Sequence, residues 1–146
     1  VNRIRENLWI TDISTVQNTS FDADVVISVC QDTAADNVGC LYEHFNMADG
    51  ETDGWGGRND YDIFRDAVDT VIEHVRAGQK TIVHCHRGHS RSAAVCISAA
   101  AILDENGYRN AFNAVRRVRV IGPDELLVEY ANRYITENSV CGAETR

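Results

Sequence analysis

A short apolar run, Thr81-Ile82-Val83-His84, leads directly into Cys85, a five-residue segment with a central glycine, and then a helix-forming stretch from Arg91 to Asn106. The run reads as a buried strand. In the stretch that follows, Ala94, Val95, Ile97, Ala101 and Ile102 lie nearly all round the helix, which predicts a central, buried helix rather than a surface one. A buried strand that turns tightly into a buried helix leaves few architectures open. It needs a sheet around the strand and further layers over the helix.

The rest of the chain supplies them. Leu8-Trp9-Ile10 and Val25-Val26-Ile27-Ser28-Val29 read as strands, and Glu43 to Met47 as a weaker one. Asp49 to Asp62, rich in Gly and Asp, reads as a loop, with Asp60 and Asp62 as capping residues of the next helix. Phe64, Ala67, Val68, Val71, Ile72 and Val75 recur at helical spacing, and Gly78 ends that helix. Ala111, Ala114, Val115 and Val118 suggest another. Gly122-Pro123-Asp124-Glu125 opens the last, whose face is Leu127, Tyr130, Ala131 and Tyr134. Strands alternating with helices predict a single α/β domain over residues 1–146, with a mostly parallel central sheet flanked by helices. The tail 138–146 carries no pattern and is expected to fray.

Composition narrows the function. The formal charge is −8, from 22 acids against 14 bases, and Lys80 is the only lysine. An acidic surface opposes nucleic-acid binding, which needs a basic footprint. Excess acid with almost no lysine also fits adaptation to high salt, where self-repulsion is screened; ordinary acidic drift is the alternative. No run of about 18 apolar residues predicts a membrane span, and Val1-Asn2-Arg3 is not followed by an apolar stretch of the signal-peptide kind. The five cysteines, Cys30, Cys40, Cys85, Cys96 and Cys141, form no Cys-x-x-Cys pair. Neither a metal site nor a disulfide framework is expected, and no cofactor. The expected compartment is reducing cytoplasm, where at least one cysteine could serve as a working thiol. Oligomeric state is left open.

The segment from Thr81 to Ser92 carries the chemistry. A buried strand delivers Cys85 to the carboxyl edge of the sheet, where sites of α/β proteins sit. Successive amides in the turn can form an anion nest, and the following helix adds its positive end. The phosphate-binding set is therefore His86, Arg87, Gly88, His89, Ser90 and Arg91. The same field favours thiolate over thiol at Cys85. Arg91 can hold two phosphate oxygens at once. Gly88 permits a positive φ and leaves room for the anion. Ser92 Oγ can donate to the Cys85 sulfur and help it leave when a phosphoenzyme is hydrolysed.

His84-Cys85-(five residues)-Arg91-Ser92 resembles the signature of the protein tyrosine phosphatase superfamily, and the small size resembles its dual-specificity branch. The Leu8-Trp9-Ile10 opening, the Val25–Val29 strand, an acid-bearing loop and the Pro123-led helix follow in the order the resemblance implies. It covers roughly residues 5 to 136 in outline and is specific around 84 to 92. It implies a metal-free reaction in which Cys85 attacks phosphorus, Arg91 and the loop amides bind the phosphoryl group, and Ser92 assists the second step. It also implies a general acid, an Asp on a loop after a strand. Asp49, directly after Phe45-Asn46-Met47-Ala48, is preferred. Asp53, four residues nearer Cys85, is the alternative.

A phosphoprotein, on Tyr and/or Ser/Thr, is the first substrate choice. Phosphoinositide phosphatases of the superfamily carry basic residues at the places of His86 and His89. With Arg87 these hint at a more anionic substrate: an inositol phosphate, a phosphoinositide or a nucleotide. The preferred view is that they merely offset local acid, since His is mostly neutral at pH 7. His84 is expected behind the loop as a hydrogen-bonding support. Cys30 is the first candidate to trap an oxidised Cys85 as a disulfide, and Cys96 the second; a small buried hydrophobe is the alternative for each. Two competing functions remain, a rhodanese-like sulfurtransferase and a noncatalytic phosphate-binding module. Arg91-Ser92 and an upstream acid loop speak against the first, and intact Cys85 and Arg91 with a candidate acid speak against the second.

Overall fold

A computed structural model describes residues 1–31, 39–48 and 60–139. The elements are β1 (Asn2–Arg5), β2 (Leu8–Asp12), α1 (Ile13–Asn18), β3 (Val25–Ser28), β4 (Leu41–His44), α2 (Tyr61–Arg76), β5 (Thr81–Cys85), α3 (Arg91–Leu103), α4 (Tyr108–Arg116) and α5 (Glu125–Asn138). The strands form one sheet in the order β1-β2-β5-β3-β4. β2, β5, β3 and β4 run parallel, and β1 pairs antiparallel with β2. This is the predicted α/β architecture with a mostly parallel sheet.

Strand periodicity divides the core. Val25 and Ile27 on β3 and Val83 on β5 face α2 to α5, whereas Val26 and Ile82 face α1. Both faces are covered, so β3 and β5 read as continuous apolar runs rather than alternating ones. α3 packs against β2, β5, α2, α4 and α5. Its residues from Ser92 to Ala101 are all buried. Ala93, Ala94, Ala99, Ala100 and Ala101 let the surrounding elements come close.

Several boundaries differ from the sequence reading. α3 ends at Leu103 rather than Asn106, because Glu105 takes φ +54° and Asn106 N–H turns back to Ala101 O at 2.8 Å. Gly107, which punctuates the sequence there, begins α4 instead. The weaker strand is β4, Leu41–His44, two residues earlier than expected at its start. α2 begins as expected, with Asp60 accepting from Asp62 N–H, and ends in a glycine cap at Gly78, φ +80°. Pro123 stands outside α5; Asp124 is its cap, accepting from Leu126 N–H. β1 and α1 were not anticipated. β1 is mostly polar, and α1 is six residues long. Among the described residues no helix is long and apolar enough to cross a membrane, and no cluster of three or more His, Cys, Asp or Glu could hold a metal ion.

Candidate active site

β5 is the middle strand, flanked by β2 and β3, and Cys85 is its last residue, paired with Asp12 of β2. The chain then passes through residues 86–90 into α3. The five carbonyls of that turn are all held from outside. His86 O accepts from Ile13 N–H at 3.2 Å, and His89 O from Gly122 N–H at 2.9 Å. Arg87 O and Gly88 O accept from the guanidinium of Arg119 at 2.8 and 3.1 Å. Ser90 O accepts from Ala94 N–H within α3.

A trans peptide carries its N–H opposite its C=O. Outward carbonyls at 86–90 therefore turn the amides of 87–91 inward, over Cys85. The Gly88 amide donates to Cys85 Sγ at 3.2 Å. Ser90, at the capping position of α3, gives the helix no side-chain hydrogen bond; its Oγ accepts from Asp124 N–H instead. The positive end of α3 is thereby left to a ligand. Gly88 has φ +72°, and a Cβ there would lie 2.6 Å from Thr11 O and 2.7 Å from Arg119 Nε. Only glycine fits.

Two side chains complete the cradle. Ser92 Oγ lies 3.2 Å from Cys85 Sγ and is fully buried. Arg91 donates through Nη1 to Met47 O at 3.2 Å, while its buried Nε has no acceptor among the described residues. A buried guanidinium N–H without a partner is costly. Arg91 is also one of the residues lining a cavity of about 290 Å³, with Cys85, His86, Arg87, His89, Ser90 and Gly122.

Behind the loop lies His84, fully buried. Burial pushes its pKa down to about 4, against the hydrogen bond to Cys85 O, so the ring is neutral at pH 7. Nδ1 therefore donates to Cys85 O and Nε2 accepts from Tyr42 Oη at 2.8 Å.

The same arrangement of sheet, loop and helices occurs in solved structures. Human DUSP28 matches at 17% identity over 92% of this chain and 94% of its own, with a TM-score of 0.73. The human tyrosine phosphatase-like serine/threonine/tyrosine-interacting protein matches at 22% identity over 91% and 93%, TM-score 0.74. PTPMT1 matches at 16% over 98% of both chains, TM-score 0.72. The chain has the dual-specificity phosphatase fold. No protein-family profile and no curated protein sequence matches it; the likeness is one of fold.

Within this dual-specificity phosphatase fold, the loop residues Cys85, Gly88, Ser90, Arg91 and Ser92 come together. His86, Arg87 and His89 are exposed at the rim. Asp49 and Asp53 lie outside the described residues. The described chain reaches Ala48, buried, just after the Met47 carbonyl that Arg91 holds. Cys30, Cys40, Cys85 and Cys96 are thiols rather than disulfides; Cys141 lies outside the described residues. Cys30 is buried beyond the end of β3, 3.6 Å from Ser28 Oγ. Cys96 is buried in α3, where burial, and then the nearby Cys85, raise its thiol pKa.

Sequence reasoning missed Tyr42, Asp12 and Arg119. Asp12 caps α1 through Thr15 N–H and pairs with Arg119 at 3.0 Å. The cap at Asp12 is local, but its pairing with Arg119 and the reach of Tyr42 to His84 join residues far apart in the chain.

Proposed function

We propose that the chain is a phosphatase that hydrolyses phosphate monoesters through a cysteinyl-phosphate intermediate. One observation carries this reading: Cys85 Sγ accepts from the Gly88 amide, lies 3.2 Å from Ser92 Oγ, and shares a cavity with Arg91, whose buried Nε has no acceptor among the described residues.

In this reading the Cys85 thiolate attacks phosphorus and the bond to the leaving oxygen breaks. The loop amides and Arg91 hold the equatorial oxygens and stabilise the charge they gain. A carboxylic acid protonates the leaving oxygen. Asp49 is the preferred acid, supported by the tie between Arg91 and Met47, two residues before it; Asp53 is the alternative. The carboxylate so formed then takes a proton from water as water attacks the phosphocysteine. The P–S bond breaks, and Ser92 Oγ donates a hydrogen bond to the departing sulfur.

A phosphoprotein is the first substrate choice, in a single catalytic domain working in reducing cytoplasm, where a thiol persists. A second reading, an inositol phosphate, phosphoinositide or nucleotide, is favoured by the exposed His86, Arg87 and His89 around the cavity. The Ser92 contact with sulfur and the bidentate capacity of Arg91 speak against sulfur transfer, and the intact thiol speaks against a noncatalytic module.

Hydrolysis of an aryl phosphate by wild type, Cys85→Ser, Asp49→Asn and Asp53→Asn tests the mechanism. Cys85→Ser should abolish turnover; retained activity overturns the reading. The carboxamide variant with the larger loss identifies the acid. Phosphopeptides compared with inositol phosphates then address substrate class.

A further inference from the structure

Arg119 lies in the connection between α4 and α5, outside the cavity, and is largely buried with a side-chain exposure of 16%. Its guanidinium makes four hydrogen bonds. Nε donates to Gly88 O at 3.1 Å, and Nη2 donates to Arg87 O at 2.8 Å and to Asp12 Oδ2 at 3.0 Å. Nη1 donates to Asn2 Oδ1 at 2.8 Å. Two consecutive carbonyls of the loop are thus held by one rigid cation. Asp12 fixes that cation from the end of β2, the strand beside Cys85.

We propose that Arg119 is a positioning residue for phosphate capture: it sets the orientation of the Gly88 and His89 amides by holding the carbonyls of Arg87 and Gly88. This rests on the phosphatase reading. The physical basis is peptide planarity. Turning the Arg87 carbonyl inward would swing the Gly88 amide off Cys85 Sγ, and turning the Gly88 carbonyl inward would do the same to the His89 amide. An inward carbonyl would also place a partial negative charge against the anion. Arg119 opposes both rotations by position and by charge. It touches no substrate in this scheme and acts through the backbone it holds. Its planar fork matters because two adjacent carbonyls and a carboxylate must be met together, which a lysine ammonium meets less well.

The test uses the full chain with inorganic tungstate, a phosphate mimic, as the probe. Tungstate affinity, kcat and KM for an aryl phosphate, and the melting temperature are measured for wild type, Arg119→Met and Arg119→Lys. Arg119→Met should weaken tungstate binding and lower kcat, each about tenfold or more, with Arg119→Lys between it and wild type. The losses should persist at temperatures where both variants are fully folded. Tungstate affinity and kcat within twofold of wild type in Arg119→Met would overturn the proposal. So would losses that vanish once the variants are compared well below their melting temperatures. Should Arg119→Met fail to fold, Arg119→Lys decides: a loss of about threefold or more in tungstate affinity supports the role, and wild-type affinity refutes it. Wild type that neither binds tungstate nor turns over the ester sinks the phosphatase reading, and the role of Arg119 with it. Wild type that does both, matched by Arg119→Met, sinks only the latter.

Discussion

Tyr42 on β4 reaches across β3 to donate a hydrogen bond to His84 Nε2 on β5, at 2.8 Å. The ring passes the constraint on, since its other nitrogen donates to the carbonyl of Cys85. Burial keeps the imidazole neutral, so Nε2 is free to accept from Tyr42 while Nδ1 donates.

His84 should therefore impose a pH dependence on stability. Its folded pKa is depressed by burial from 6.5 to about 4. The unfolded chain binds the extra proton first, so the contribution is complete above pH 6.5 and is lost as pH falls toward 4. The full effect is on the order of 3 kcal/mol. Urea melts between pH 7 and 4 should show the decline, and Tyr42→Phe should cost about 1–2 kcal/mol at pH 7 by leaving Nε2 without its Tyr42 donor.

His74 should act in the opposite sense. Burial alone would lower its pKa, but hydrogen bonds to Gln79 and to Glu43, with the charges of Glu43 and Glu73, raise it above that of an ordinary histidine. Its contribution is present below pH 6.5 and is lost as pH rises through the folded pKa. An NMR titration of the imidazole protons should show His74 protonated above the range of an ordinary histidine, and His74→Gln should flatten the stability profile there.

Gly88→Ala should disable the loop. The added methyl meets Thr11 O and Arg119, at a residue with φ +72°. We expect a stability loss of about 2 kcal/mol or more. Aryl phosphate turnover should fall about a hundredfold. Calorimetry and steady-state rates on the same sample check both.

Ser92→Ala should separate the two chemical steps. In the proposed mechanism the hydroxyl 3.2 Å from Cys85 Sγ acts when the sulfur leaves phosphorus. Stopped-flow traces should show a burst of leaving group near one equivalent, followed by a steady rate about tenfold or more below wild type. A steady rate without a burst would count against the assignment.

The strand, turn and buried helix around Cys85 were legible because each depends on local pattern: an apolar run, a glycine, and apolar residues on all sides of a helix. The caps at Asp60 and Gly78 were legible for the same reason. The end of α3 was not, because Glu105 takes a left-handed conformation that sequence assigns to glycine or asparagine. β1 was not, since Asn2-Arg3-Ile4-Arg5 has one apolar residue and owes its place to the neighbouring β2. Arg119 shows the limit most clearly. Its acceptors come from residues 2, 12, 87 and 88, and only the folded chain brings them together.

Because donors outside residues 86–90 hold all five turn carbonyls, the exposed side chains at 86, 87 and 89 are not what holds those carbonyls. Selectivity and reactivity are thereby separable. A library randomised at those three positions should yield variants that differ in which phosphate ester they prefer while keeping the same rate on a small aryl ester. On the phosphatase reading, the rim of this protein is a place to retune recognition without rebuilding the reactive loop.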